Sequence, residues 1–391
     1  MSYLEITTDA QLIRYCHRLA KCRTIAIDTE FVSEDTFRPE LCLIQVAADG
    51  ELAVVDPATI EDIRPFWVVL ATEGHETIIH AARSEVDFCL EAIGRPPAGL
   101  LDVQVGAGLA GLEYPTSYGS LISRLLKKKL GKHETRTDWR RRPLSKRQID
   151  YALDDVRYLA EIRAILGEKL AAAGRTEWWP DEMRRWLENL YESRGSDLWR
   201  RVSGNSGLDP RSLAILRELY AWRSEEAAHK NRPAKRILRD DLLVEIAKQK
   251  TADLRRLHRI RGMERYRKQL DQMIDRIQVA LEIPDEECPR QGHSSRAPQL
   301  AVLGQILFAA LGSVCRKQNL APSLVATPND IRYWVAYRSN PKQYKNAPPP
   351  ALTQGWRAEV VGNLFEELLS GKKRIRITDP TSNFPLEFED E

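Results

Sequence analysis

The chain has 391 residues, 43% of them hydrophobic and 29% charged, with a formal net charge of +3; this is too long for one ordinary domain and fits a globular protein with two or three modules. Six cysteines without a C-x-x-C pair disfavour a zinc ribbon and fit a reducing compartment, and seven histidines without an H-x-H or H-E-x-x-H cluster make zinc chemistry a poor match. With no run of 18 or more apolar residues and no basic-then-apolar leader, the expectation is a cytoplasmic protein with no membrane association and no obligate protein partner.

The first half alternates strand-like and helix-like segments. Residues 23–28 and 41–47 read as buried strands, followed by strands at 52–56 and 76–80, while 10–19, 84–93, 117–126 and 145–172 carry helical spacing. That alternation predicts an α/β domain with a mixed sheet over residues 1–195. Strand signals then stop near Trp178, and Gly204-Asn205-Ser206-Gly207 before Asp209-Pro210 reads as a linker into a helix start. Helical segments at 211–226, 240–248, 251–257 and 266–281 predict an all-α bundle over 209–289. A break at 283–298 precedes further helices at 300–317, 329–337 and 355–370, expected to form a second helical module over 298–372. Residues 373–391 are an acidic tail, expected to be disordered.

Charge is unevenly distributed. Residues 210–279 hold 18 Lys and Arg against 10 Asp and Glu, and residues 124–147 hold 11 against 2. A polyanion such as nucleic acid would be drawn to both stretches, with solvated helix faces as the structural alternative.

The chemistry is carried by two sets of residues far apart in the chain. Asp28 and Glu30 stand two apart at the end of a strand, so both point to one side of the sheet, and two carboxylates facing one way repel unless a cation lies between them. Tyr151 and Asp155 stand one helical turn apart and share a helix face. Carboxylates without His or Cys suit hard cations such as Mg²⁺ or Mn²⁺, and two such ions supply what in-line cleavage of a phosphodiester needs. Asp154 is a competing carboxylate, about 100° around the helix from Asp155.

A third segment, His80 to Leu90, joins these. The ordered set Asp28-Thr29-Glu30-Phe31, then His80 with Glu85, then Tyr151 with Asp155 resembles the DEDD 3′-5′ exonucleases of the tyrosine-bearing subclass. With Leu43-Ile44-Gln45, Arg136-Thr137-Asp138-Trp139 and Arg142-Pro143-Leu144, it is similar to the ribonuclease D family over roughly residues 1–195. The resemblance implies a ribonuclease H-like mixed sheet flanked by helices. It also implies that Asp28 bridges two divalent ions, that Glu30 and Asp155 ligate the ion bearing the attacking water, and that Tyr151 orients or deprotonates that water. Glu85 departs from the family pattern, which has Asp there; register favours it over Asp87, and it is expected to hold the second ion less well. Candidate substrate contacts are His80 with phosphate, Arg142 with phosphate through its planar fork, and Phe31 against a terminal base, each with a packing or solvated-loop alternative. Trp139 is read as core.

Residues 213–223 and 240–243 resemble the HRDC domain, which implies nucleic-acid binding. The expectation is therefore a two-metal-ion 3′-5′ exoribonuclease acting on RNA 3′ ends such as tRNA precursors. The alternatives are a nucleic-acid binding protein whose exonuclease domain is impaired by Glu85, and a DNA-directed exonuclease.

Overall fold

The computed structural model describes residues 2–131, 137–194, 198–290, 298–345 and 347–391. Arg136 and residues 291–297 of the second expected break lie outside them. Six strands form one mixed sheet: β1 (Leu4–Ile6), β2 (Thr24–Val32), β3 (Glu40–Ala48), β4 (Glu51–Val55), β5 (Glu76–Ile79) and β6 (Leu100–Asp102), in the order β1-β4-β3-β2-β5-β6. The β2–β3 and β3–β4 pairs are antiparallel, and β1–β4, β2–β5 and β5–β6 are parallel. The short outer strands β1 and β6 were not visible in the sequence, because three residues are too few to show a period.

Helices α1 (Asp9–Leu19), α2 (Arg64–Leu70), α3 (Arg83–Ile93), α4 (Val103–Leu109), α5 (Tyr118–Leu121), α6 (Lys146–Arg157), α7 (Leu159–Ala172) and α8 (Trp178–Arg194) accompany the sheet. Strands β2 and β3 alternate between two apolar layers. Ile25, Ile27, Ile44 and Val46 face the larger core, whereas Leu43 and Val54 meet Ile149, Ala152 and Leu153 of α6. Burying Ile149, Leu153 and Val156 is worth about 1.5–3 kcal/mol each, so the apolar stripe pins α6 across the sheet. The helix expected over 145–172 is broken at Tyr158, whose N–H donates to the Tyr118 hydroxyl at 3.3 Å.

Helices α9 (Pro210–His229), α10 (Ala234–Ile237), α11 (Asp240–Gln249), α12 (Leu254–His258) and α13 (Leu270–Glu282) form a bundle with its own core, including Leu213, Leu216, Trp222, Leu243 and Ile277. The last helices, α14 (Pro298–Gln318), α15 (Pro322–Val325), α16 (Pro328–Ser339), α17 (Gly355–Arg357) and α18 (Asn363–Leu369), instead share the core of the sheet domain. Two arginines tie them to it. Arg357 is buried in an ion pair with Glu182 and donates to the carbonyls of Val325 (2.9 Å) and Leu324 (2.8 Å). Arg175 donates to the carbonyls of Leu109 (3.0 Å) and Asn319 (3.1 Å). Among the described residues α14 alone is long and apolar enough to cross a bilayer, by length and composition, but its Leu307, Ala310, Leu311 and Cys315 are core residues of this fold.

The C-terminal segment corrects an expectation. Residues 373–391 were expected to be disordered, yet β7 (Lys373–Ile377) and β8 (Leu386–Asp390) pair as an antiparallel hairpin. Strand alternation sets basic against acidic side chains: Lys373 meets Asp390 at 2.8 Å and Arg376 meets Glu389 at 2.8 Å, while Ile375 and Phe388 pack on the core. The acidic run at residues 387–391 has a basic partner strand in Lys373, Arg374 and Arg376 of the same tail, and their pairing overrides the net acidic composition.

Candidate active site

Strand β2 carries Asp28 and Glu30 on the sheet face that α6 covers, and a β-bulge follows directly after Glu30. On α6, Tyr151 and Asp155 look toward them. The helix start is fixed by a capping box in which the Ser145 hydroxyl accepts from Gln148 N–H (3.2 Å) and the Gln148 side chain accepts from Ser145 N–H (2.9 Å). Carboxylate oxygens of Asp28, Glu30 and Asp155 all lie within 4.8 Å of one another. The Tyr151 hydroxyl hydrogen-bonds to the Asp155 carboxylate.

Electrostatics reflect this crowding. Burial, then the charges of Glu85, Asp155 and Glu30, push the Asp28 carboxyl well above the usual carboxylate range. Burial, then Asp155 and Glu85, push Glu30 up to about 8. Burial and the neighbouring carboxylates also hold the Tyr151 phenol above its ordinary value, so it stays protonated and acts as a hydrogen-bond donor. Such a group of oxygen donors repels itself and fits a divalent cation, whose charge removes the repulsion.

Glu85 is the departure. It lies in the first turn of α3, 3% exposed, and accepts a hydrogen bond from the Thr29 hydroxyl at 2.6 Å. Thr29 alternates to the opposite face of β2 from Asp28 and Glu30, so Glu85 stands beside the three-carboxylate group and not within it. Burial pushes its carboxyl up to about 7, with the Thr29 hydroxyl pulling the other way. Glu85 is buried, whereas Asp87 is part-exposed and paired with Arg83 at 2.7 Å. Asp154 likewise turns to Arg157, at 2.7 Å.

The expected substrate contacts fare differently. Arg142 is a correction: its guanidinium donates to both Asp56 oxygens and to the carbonyls of Trp139 (2.7 Å), Arg141 (3.0 Å) and Cys42 (2.8 Å). All five of its N–H groups are engaged, leaving no fork for a phosphate. His80 hydrogen-bonds through Nε2 to the Thr116 carbonyl (2.9 Å) and packs 5.6 Å from the Tyr118 ring. Phe31 is partly buried, edge-on to Phe88 at 5.6 Å. Trp139 is buried against Tyr151, with ring centroids 6.2 Å apart. A cleft of about 370 Å³ opens beside Tyr151 and Asp155, lined also by Arg147, Asp150 and Asp154.

Asp102 was missed by sequence reading. At the end of β6 it accepts from the N–H groups of Ala81 and Ala82, each at 3.0 Å, and so sets the turn that launches α3 and Glu85. It also caps α4 by accepting from the Gln104 N–H at 2.8 Å, a local role, whereas its hold on the turn before α3 depends on partners some twenty residues away.

A family model described as 3′-5′ exonuclease matches residues 3–171, and one described as HRDC domain matches residues 212–277. The chain is 34% identical to ribonuclease D of Gluconacetobacter diazotrophicus, covering 95% of this chain and 94% of that protein. It is 31% identical to ribonuclease D of Bartonella henselae, covering 95% and 91%. Among solved structures it is similar to RNase D of Escherichia coli, an exoribonuclease involved in structured RNA processing, with a TM-score of 0.84, 27% identity and coverage of 95% of this chain and 99% of that one.

Proposed function

Since this chain belongs to the ribonuclease D family and is a hydrolytic 3′-5′ exoribonuclease, we propose that it trims RNA 3′ ends at a two-cation site held by Asp28, Glu30 and Asp155, with Glu85 serving the second cation. The observation that carries this reading is the meeting of three carboxylates, from a strand and a helix more than a hundred residues apart, within 4.8 Å. Mg²⁺ or Mn²⁺ bound there would supply charge stabilisation to both attacking and leaving oxygens. Tyr151, protonated and tied to Asp155, orients the attacking water by hydrogen bonding and is not itself the base. Phe31, partly buried beside Phe88, is the proposed contact of the terminal base, and His80 that of its phosphate. Precursors of structured RNA such as tRNA are the proposed substrates, and six free cysteines fit the proposed cytoplasmic setting.

The test is a 5′-labelled single-stranded RNA. It should shorten one nucleotide at a time with Mg²⁺ or Mn²⁺ and remain intact in EDTA, while a matched DNA oligonucleotide reports the sugar preference. Products released from internal positions, or shortening in EDTA, would sink the proposal.

Glu85 motivates a separate prediction. Shortening the side chain by Glu85→Asp should leave kcat within about tenfold of the native rate, because the Thr29 hydroxyl already holds the longer carboxylate beside the site. A gain of about a hundredfold or more would establish that Glu85 impairs catalysis and favour the nucleic-acid binding reading.

The middle bundle supplies a surface for the rest of the RNA. Arg255, Arg256, Arg259, Arg261, Arg265, Arg267 and Lys268 are all exposed and make no ion pair among the described residues. Replacing Arg255, Arg256 and Arg259 together by Ala should raise KM for a long RNA about 10-fold or more while leaving kcat unchanged. The slope of log KM against log salt should fall by about 2, from three contacts at about 0.7 each. An unchanged slope would remove this ridge from the RNA path.

A further inference from the structure

Gln45 sits in the middle of β3 with 0% of its surface exposed, and neither its amide nitrogen nor its amide oxygen has a hydrogen-bond partner among the described residues. A carboxamide offers two donors and two acceptors, and buried polar groups are normally paired. An apolar side chain of the same size would be more stable here, so the fold itself does not call for glutamine.

Its register names the group it can serve. Gln45 stands directly opposite Asp28 in the β2–β3 pair. Opposite residues of an antiparallel pair share a face, with Cβ atoms about 4.5–5.5 Å apart, within reach of a glutamine side chain. On its other flank it is opposite Val54, which is buried in a layer with Leu43, Ala152 and Leu153 against which the Tyr151 ring packs. Asp28 is thus its polar cross-strand neighbour on the face covered by α6.

We infer that Gln45 is a positioning residue for Asp28: its carboxamide donates to the Asp28 carboxylate when that carboxylate turns onto a cation, and holds it in one orientation. This rests on the reading of Asp28 as a cation ligand. Groups that hydrogen-bond metal ligands restrict their rotation, and their loss typically lowers metal affinity by about 10–100-fold. Gln45 itself touches neither substrate nor reacting atoms.

The experiment compares the wild-type chain with Gln45→Met, which keeps the volume and removes the amide. In EDTA the variant should melt several degrees higher, since an unpaired polar group has left the core. Titrated calorimetrically with Mn²⁺ alone, it should bind about 10–100-fold more weakly, and with RNA it should lose kcat at unchanged KM. Mn²⁺ affinity and kcat equal to wild type would overturn the inference and leave the amide a structural feature. Should Gln45→Met fail to fold, Mn²⁺-soaked crystals of the wild type decide: Nε2 within about 3.2 Å of an Asp28 oxygen supports the assignment, and an amide bonded elsewhere overturns it. Asp28→Asn keeps the underlying reading distinguishable, because retention of full Mn²⁺ affinity in that variant would refute Asp28 as ligand whatever Gln45 does.

Discussion

Asp28→Asn lowers kcat by about a thousandfold or more and, in the absence of divalent ions, raises the melting temperature. The two effects have one cause. Asp28 shares its face of β2 with Glu30 and lies with Asp155 within 4.8 Å, in surroundings that disfavour its charge through burial and through Glu85, Asp155 and Glu30. An amide removes the group that would bridge both cations, and losing several kcal/mol of charge stabilisation costs a factor of ten for each 1.36 kcal/mol. The same change relieves carboxylate repulsion in the cation-free fold. Asp155→Asn should show the same pairing of lost rate and gained stability, with the added loss of the Tyr151 hydrogen bond. Rates are read on labelled RNA, and melting by calorimetry in EDTA. If Asp28→Asn kept its rate, or destabilised the cation-free protein, the assignment of this cluster would fail.

Mn²⁺ affinity should rise by more than tenfold, approaching about a hundredfold, for each pH unit between 6 and 7, while the cation-free protein loses stability over the same range. Glu30 is pushed up to about 8 and Glu85 to about 7, so at pH 6 both carry protons that a cation must displace. Each proton released contributes a slope of one to log affinity against pH. For stability the sign follows from the raised folded values. The contribution of Glu30 is fully present below its unfolded value of 4.5 and is lost as pH rises through about 8. Melting temperature in EDTA should therefore fall from pH 5 to pH 8, and saturating Mn²⁺ should abolish that fall. Calorimetric titrations in two buffers of different ionisation enthalpy would count the protons. A pH-independent affinity, or a cation-free melting point that climbs with pH, would show that the carboxylates are not the cation's ligands.

How much of this was legible depends on the range of the interactions involved. The face shared by Asp28 and Glu30 follows from strand alternation, and that shared by Tyr151 and Asp155 from helical spacing; both hold in the folded chain. The capping residues of α6 and the apolar stripe Ile149, Ala152, Leu153 and Val156 are equally local. Arg142 read as a phosphate fork because its neighbours in sequence are basic, but its carboxylate partner, Asp56, is supplied by the end of β4. The acidic tail read as disordered because its partner strand begins at Lys373, outside the acidic run. Helices 300–370 read as a separate module because nothing in their own sequence announces Glu182 or Arg175 on the far side of the interface.

The sequence by itself determined the strand and helix periods that put Asp28 with Glu30 and Tyr151 with Asp155, and the family order in which these residues appear. Tertiary structure alone decided that Glu85 leans on the Thr29 hydroxyl, that Arg142 is consumed by Asp56, and that Gln45 lies buried opposite Asp28. Periodicity is set by backbone geometry over a few residues and can be read from any stretch of chain. The partner a polar group finally takes is a competition among all groups that folding brings near it, and that outcome exists only once distant segments have met.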